Sequence, residues 1–443
     1  MDDLAGRLGQ EATASRTSHS GAAVAELPKV VIVGAGFGGL EAAKALARAP
    51  VRVTLIDRLN HHCFQPLLYQ VATGTLSPAD IAWPVRSIFS HQRHTEILMA
   101  EVTGVDVCTR ALVLKCGKRV TYDYLVLATG ATHSYFGHEE WSPAAPGLKR
   151  IEDATGIRRR LLLAFERAEL EDDEARRRRL MTFVVVGGGP TGVEMAGAIA
   201  DMARLTLAPD FRRIDPRNAR IVLVEAGPRL LAAFPETLSR YAQRALQSIH
   251  VEVRTSAQVV ELDGQGVRTA EGDCIAAATV IWAAGVTASP AATWLSAAAD
   301  RSGRIRVEPD LSVPGHPEIF AIGDTALALA PTGTPAPGLA PAAKQMGRYV
   351  GRLIAARVQS RAEPAPFRYR HLGDLATIGR KHAVVSFGRL RLTGFAAWVF
   401  WSVAHIYFLI GVRNRVVVAL NWMWEYITLQ RGARLILGAF LFI

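Results

Sequence analysis

Two glycine fingerprints constrain this chain more than any other feature. KVVIVGAGFGGLEAAKAL runs from Lys29 to Leu46, and TFVVVGGGPTGVEMAGAIA from Thr182 to Ala200. Each is a β-branched run that breaks at G-x-G-x-x-G and resumes as an Ala-rich helix. Gly34 and Gly187 permit the tight turn out of the strand. Gly36 and Gly189 lack a Cβ, so the backbone can approach a pyrophosphate. Gly39 and Gly192 let helix and strand pack closely. The helix starts that follow, at Phe37–Gly38 and Pro190–Thr191, present free N–H groups to phosphates. An acidic residue is expected at the end of the next strand, for ribose hydroxyls. VRVTLID supplies Asp57, 18 residues beyond Gly39, and ARIVLVE supplies Glu225. One such loop would be weak. Two of them, 153 residues apart, indicate a chain that holds two dinucleotides face to face.

The order of the loops places FAD first and the nicotinamide nucleotide second. DYLVLATGAT reads as a buried strand ending in a small-residue turn, with Ala128, Thr129 and Gly130 close to the first nucleotide. IFAIGDTA ends in Gly323–Asp324, where the carboxylate can reach the ribityl or pyrophosphate region. VIWAAGV, with Gly285, mirrors the first turn and marks the return from the second domain to the first.

These residues resemble the two-dinucleotide flavoprotein superfamily, and more narrowly the type II NADH dehydrogenases. The resemblance runs from about Lys29 to Arg434. Its narrower marks are NHHCFQPLLYQVATGTLSPADIAWPVR, EAGPRLLAAFPE, APAAKQMGRYVG and HIYFLIGVRNR. It implies hydride transfer from NADH to FAD and two-electron transfer to a membrane quinone, without proton pumping. It also implies an α/β fold with two Rossmann-like dinucleotide-binding domains and a C-terminal membrane-associated helical segment. The expected division is an N-terminal extension (1–27), the FAD-binding domain in two parts (28–145 and 281–360), an inserted NADH-binding domain (146–280) and an anchoring domain (361–443). Val102 joins the cofactor contacts on the same resemblance.

Glu225 predicts NADH over NADPH, because a carboxylate binds free ribose hydroxyls and repels a 2′-phosphate. Arg229 nearby reads as a solvated surface residue. In the family, the glutamate of T-G-x-E lies near nicotinamide and flavin, which gives Glu194 a role in positioning NADH or tuning proton delivery. Its alternative is a helix residue that merely orients the loop. The family motif A-Q-x-A-x-Q carries two glutamines near the quinone. Here Pro341 occupies the first position and Gln345 the second, so only Gln345 carries over. Lys344 is read as facing either the flavin or water.

Charge is uneven. From Pro366 onward ten Arg and Lys face only Asp374 and Glu425, and four of the eight tryptophans lie there. Basic residues flanking an apolar, Trp-rich stretch suit an anionic lipid surface better than nucleic acid, and no nucleic-acid motif accompanies them. Gly394–Val412 is long enough to span a bilayer. In Val416–Gln430, Asn421, Glu425 and Thr428 form one polar stripe on an otherwise apolar helix. Monotopic attachment, one true span and a dimer core all stay open; the resemblance favours the first, at the cytoplasmic face where NADH is.

The remaining features are bland. Cys63, Cys108, Cys116 and Cys274 have no redox-pair or metal spacing and read as reduced thiols, so no metal is expected. The first residues are polar and small, without a secretory pattern. Arg158–Arg179 reads as one amphipathic surface helix. The rival readings are a flavin reductase for another acceptor and a low-turnover nucleotide-binding redox sensor.

Overall fold

The computed structural model describes residues 27–330, 332–429 and 432–436. The expected N-terminal extension lies almost wholly outside them. The first sheet begins with β1 (Lys29–Val33), followed by α1 (Phe37–Ala45), β2 (Arg52–Asp57), β3 (Thr95–Met99) and β4 (Tyr124–Leu127). A short strand, β5 (Ala131–His133), leads out toward α2 (Ile151–Leu170). The second sheet is built from β6 (Thr182–Val186), α3 (Pro190–Asp201), β7 (Arg220–Val224), β8 (Val251–Arg254) and β9 (Thr279–Trp282). The chain returns through β10 (Val286–Ala288), β11 (Ser312–Val313) and β12 (His316–Ala321) to α4 (Ala340–Val358).

The first sheet has the order β11-β12-β4-β1-β2-β3, parallel except between β11 and β12. The second is fully parallel, in the order β8-β7-β6-β9. Both central strands are buried along nearly their whole length, as KVVIV and TFVVV require when helices cover both faces of a sheet. Two crossings join the units: β5 pairs antiparallel with β10, with Thr132 opposite Thr287.

The basic block is not one helix. α2 ends at Leu170, and a second helix spans Glu174–Leu180. Asp173 caps that second helix by accepting the Arg176 N–H at 2.7 Å, and Arg177 Nε reaches back to the Glu171 carbonyl at 3.0 Å. Acidic residues favour this cap geometry over continued helix. Nor does α2 lie wholly at the surface, since Ile157, Leu161 and Phe165 are fully buried.

The C-terminal part is an antiparallel meander, β13 (Asp374–Ile378), β14 (His382–Phe387) and β15 (Leu390–Thr393), followed by α5 (Gly394–Phe408) and α6 (Val412–Thr428). It docks on the second nucleotide helix. A Cβ on Gly197 of α3 would stand 2.6 Å from the Gly379 nitrogen, so the contact needs a glycine. Among the described residues no helix is long and apolar enough to cross a membrane. The 19-residue apolar stretch is instead broken, because α5 stops at Phe408 and Gly411 turns the chain at φ +83°.

Candidate active site

A cleft of about 550 Å³ opens at the C-terminal ends of the first sheet's strands, where such folds bind ligands. Gly34 leaves β1 at φ +106°, and a Cβ there would collide with the Ala128 carbonyl. Gly187 repeats this at φ +112°, with Ala283 backbone atoms at 2.7 Å. The two loops are thus held by the same device. Gly36 and Gly189 each cap a helix with no side-chain hydrogen bond, and a Cβ at either would meet nothing within 4 Å. Free first-turn N–H groups facing open space suit phosphate oxygens.

The two acidic residues hold their loops in the same way. Asp57 accepts the Ala35 N–H at 2.6 Å and the Leu59 N–H at 2.8 Å. Glu225 accepts the Gly188 N–H at 2.5 Å and the Gly227 N–H at 2.6 Å. A carboxylate has about four acceptor sites, so each retains capacity for a ribose hydroxyl.

Of the expected contacts, Gly34, Gly36, Phe37, Gly38, Asp57, Ala128, Thr129, Gly130, Gly323 and Asp324 line the cleft. Gly39 sits behind it, against Gly34. Val102 does not reach it; it is 8% exposed and packs in the core beneath the first sheet. From the second fingerprint Thr191 and Glu194 enter, while Gly187, Gly189, Pro190, Gly192 and Glu225 do not line the cleft, and Gly192 packs behind its loop against Gly187 as Gly39 does against Gly34. Gly285 lies outside as well, in the turn between β9 and β10 against the Phe136 ring.

Sequence reasoning missed several residues. Thr325 is fully buried and ties the two cleft turns together, accepting the Gly130 N–H at 2.9 Å and bonding the Thr129 hydroxyl at 3.1 Å. His62 lines the cleft with Nδ1 3.0 Å from the Ala35 carbonyl. Burial pushes its pKa down to about 4, so the ring is neutral at pH 7. Its Nε2 is buried with no partner. An orphaned polar atom beside two open glycines fits a dinucleotide resident in this cleft. Nothing in N-H-H-C-F marked His62 beforehand, because its burial depends on α1 and Phe37, whose ring it meets edge-on at 4.9 Å.

Glu194 is nearly fully buried, with Oε1 3.4 Å from the Thr377 N–H. Burial pushes its pKa up to about 8; the Thr377 N–H and the Trp401 indole only partly offset this. Besides the cleft, Glu194 and Tyr69 line a second, small cavity of about 70 Å³ between α3 and the C-terminal helices, shared with Asp201 and Glu425.

Gln345 departs from expectation. Its amide donates to the Arg370 carbonyl at 2.9 Å and accepts the Arg370 N–H at 3.0 Å, so both ends are engaged by backbone. It does not line the cleft. Ala343 does, and two residues further along a helix is a rotation of about 200°, which turns Gln345 to the far side.

Known families match this chain along almost its whole length. The family described as pyridine nucleotide-disulphide oxidoreductase covers residues 28–347, and the NDH2 C-terminal domain covers 371–429. A curated Mycobacterium tuberculosis protein, type II NADH:quinone oxidoreductase NdhA, is 42% identical over 94% of this chain and 91% of its own length. A second protein of that organism, Ndh, is also 42% identical, over 91% and 89%. The chain belongs to the type II NADH:quinone oxidoreductases. Its fold agrees with NDH2 from Plasmodium falciparum solved in complex with NADH, at a TM-score of 0.83 over 93% of this chain and all of that one, with 21% identity.

This type II chain presents an inverted C-terminal helix. The polar stripe of α6 faces the protein: Asn414 is buried, Asn421 approaches Asp80 at 3.4 Å and Glu425 approaches Thr75 at 3.4 Å. Its apolar face points outward, with Val412 75% and Ile427 72% exposed. Val403 and Tyr407 on α5 are exposed beside it.

Proposed function

We propose that this chain is a membrane-attached, FAD-dependent NADH:quinone oxidoreductase that catalyses NADH + H⁺ + quinone → NAD⁺ + hydroquinone, without proton pumping. The observation that carries the reading is that residues of both fingerprints line one cleft, Gly34, Gly36 and Gly38 from the first and Thr191 and Glu194 from the second. When bound, FAD supplies the two-electron relay between the two substrates. The chain's own residues bind and orient. The Gly34–Gly39 loop, the Ala128–Gly130 turn, Asp57 and Asp324 hold the first dinucleotide. Gly187–Gly192 and Glu225 hold NADH, which lays its nicotinamide past Thr191 toward Glu194. With its raised pKa, Glu194 holds a proton on its carboxyl at neutral pH, beside the reacting end of the cleft.

The domain division in this reading is 28–145 with 281–360 for FAD, 146–280 for NADH and 361–443 for attachment. The outward apolar face of α5 and α6 lies in one leaflet at the cytoplasmic face, with exposed Arg389, Arg391 and Arg413 near anionic headgroups. We assign that face to lipid rather than to a second copy of the chain.

Stopped-flow absorbance on the lipid-supplemented protein tests the function. NADH should bleach the flavin and a soluble quinone should restore its colour. Bleaching without restoration by any quinone would send the electrons to a different acceptor.

A further inference from the structure

Lys344 has no partner suited to its charge. It lies in the second turn of α4, half-buried, with its ammonium 5.3 Å from the centre of the Phe37 ring and 5.1 Å from that of Phe408. Among the described residues its ammonium makes neither a hydrogen bond nor an ion pair. Glu41 is the carboxylate whose field reaches it, but Arg348 holds that carboxylate at 2.8 Å and Lys44 at 3.4 Å. Burial lowers the Lys344 pKa; Glu41 opposes the shift, while Lys44, Arg348 and Arg415 add to it. An ammonium carries three donors. Aromatic faces attract the charge but accept no strong hydrogen bond, so the donors remain free for a ligand.

Its two aromatic neighbours define where it stands. Phe37 lines the cleft at the first glycine loop. Phe408 ends α5, is 40% exposed and belongs to the outward apolar face. The ammonium therefore sits where a molecule arriving along that face meets the cleft wall. Pro341, one turn earlier in α4, offers no side-chain donor, and Gln345 is engaged by Arg370.

We propose that Lys344 is the hydrogen-bond donor to a quinone carbonyl, with the quinone ring entering between Phe37 and Phe408. This rests on the quinone-reductase reading above. A quinone ring is flat and apolar, suited to two phenyl neighbours, and its carbonyls are acceptors. Two-electron reduction places negative charge on those oxygens before protonation. A fixed cationic donor binds that charge more tightly than the neutral carbonyl, which lowers the barrier. Lys44, Arg348 and Arg415 reinforce the same positive field. In this step Lys344 donates a hydrogen bond and gives up no proton. The two protons of the hydroquinone are those of the overall reaction, one originating with the NADH hydride and one from solvent.

The test uses the full-length, FAD-loaded protein in lipid. Binding of a short-chain ubiquinone without NADH is followed by quenching of tryptophan fluorescence, and the two half-reactions by stopped flow. Lys344→Met should raise the quinone Kd about tenfold, equivalent to ~1.4 kcal/mol, and slow recolouring at least as much. Flavin bleaching by NADH should change less than about twofold. Lys344→Arg, which keeps charge and donors, should recover most of the affinity. An unchanged quinone Kd in Lys344→Met overturns the proposal, and so does equal loss of both half-reactions. If Lys344→Met loses its flavin, Lys344→Gln is read by the same criteria; loss of flavin there too would make Lys344 a cofactor contact and overturn the assignment. Failure of the unaltered protein to be recoloured by quinone would sink the quinone reading itself, a separate result.

Discussion

The indole N–H of Trp422 donates to the Gln70 side-chain oxygen at 2.7 Å, in a site where both residues are buried. Trp422 lies on α6 and Gln70 follows Tyr69, a cleft-lining residue whose hydroxyl accepts the Gln70 amide at 2.8 Å. α6 is thereby linked to the wall of the cleft through one polar chain. Trp422→Phe leaves the buried Gln70 oxygen without its donor. It should reduce unfolding free energy by about 1–3 kcal/mol, read from denaturant titration of the lipid-bound protein. An unchanged midpoint would mean that water replaces the indole.

In the proposed function Glu225 has a double role, holding its loop and meeting the ribose. Glu225→Gln keeps the shape but removes the charge. The KM for NADH should rise by roughly tenfold, the scale of one weakened charged hydrogen bond, and the preference over NADPH should narrow. Initial rates with both nucleotides check this. An unaltered ratio would move the ribose elsewhere.

Glu194 predicts a pH dependence with a definite sign. Its folded pKa of about 8 lies above the ordinary value of 4.5 because burial favours the neutral form. The folded state therefore binds the extra proton between about pH 4.5 and 8. Stability from this group is full below that window and falls as pH rises through it. Glu194→Gln should flatten the decline. Thermal melts from pH 5 to 8 that run parallel in both proteins would rule the burial effect out.

The outward face of α6 predicts where attachment can be broken. Val416 and Ile427 are 51% and 72% exposed and have no structural reason to be apolar. Val416→Glu with Ile427→Glu should weaken vesicle binding by at least about tenfold, since each buried aliphatic side chain contributes roughly 1.5–3 kcal/mol. Flotation on anionic vesicles measures this, with flavin content as the folding control. Retained binding together with loss of a dimer in cross-linking would reassign the face to a second copy.

Much of this protein was legible in its sequence because the relevant chemistry is local. A turn at positive φ with no room for a Cβ demands glycine at 34 and 187, and a strand end beside it places Asp57 and Glu225 within reach of the loop backbone. The positive φ and the carboxylate contacts act within a few tens of residues, and the pattern itself records them; the backbone that closes on each glycine comes from Ala128 and Ala283, far along the chain. The polar stripe of α6 was also readable, but its direction was not. A helical pattern defines two faces without saying which one meets protein, and only the contacts to Thr75 and Asp80 turn the stripe inward. Distance in sequence hid the rest. Glu194 is buried because β13 and α5 close over it from nearly two hundred residues away. Gln345 faces Arg370 instead of the cleft because of its rotation about α4. Lys344 is left between two rings because Glu41, the carboxylate whose field reaches it, is already paired. The sequence determined which nucleotides the chain is built to grip; tertiary packing decided which side chains are desolvated, which are engaged and which remain free, because burial and charge pairing are properties of surroundings that no single segment contains.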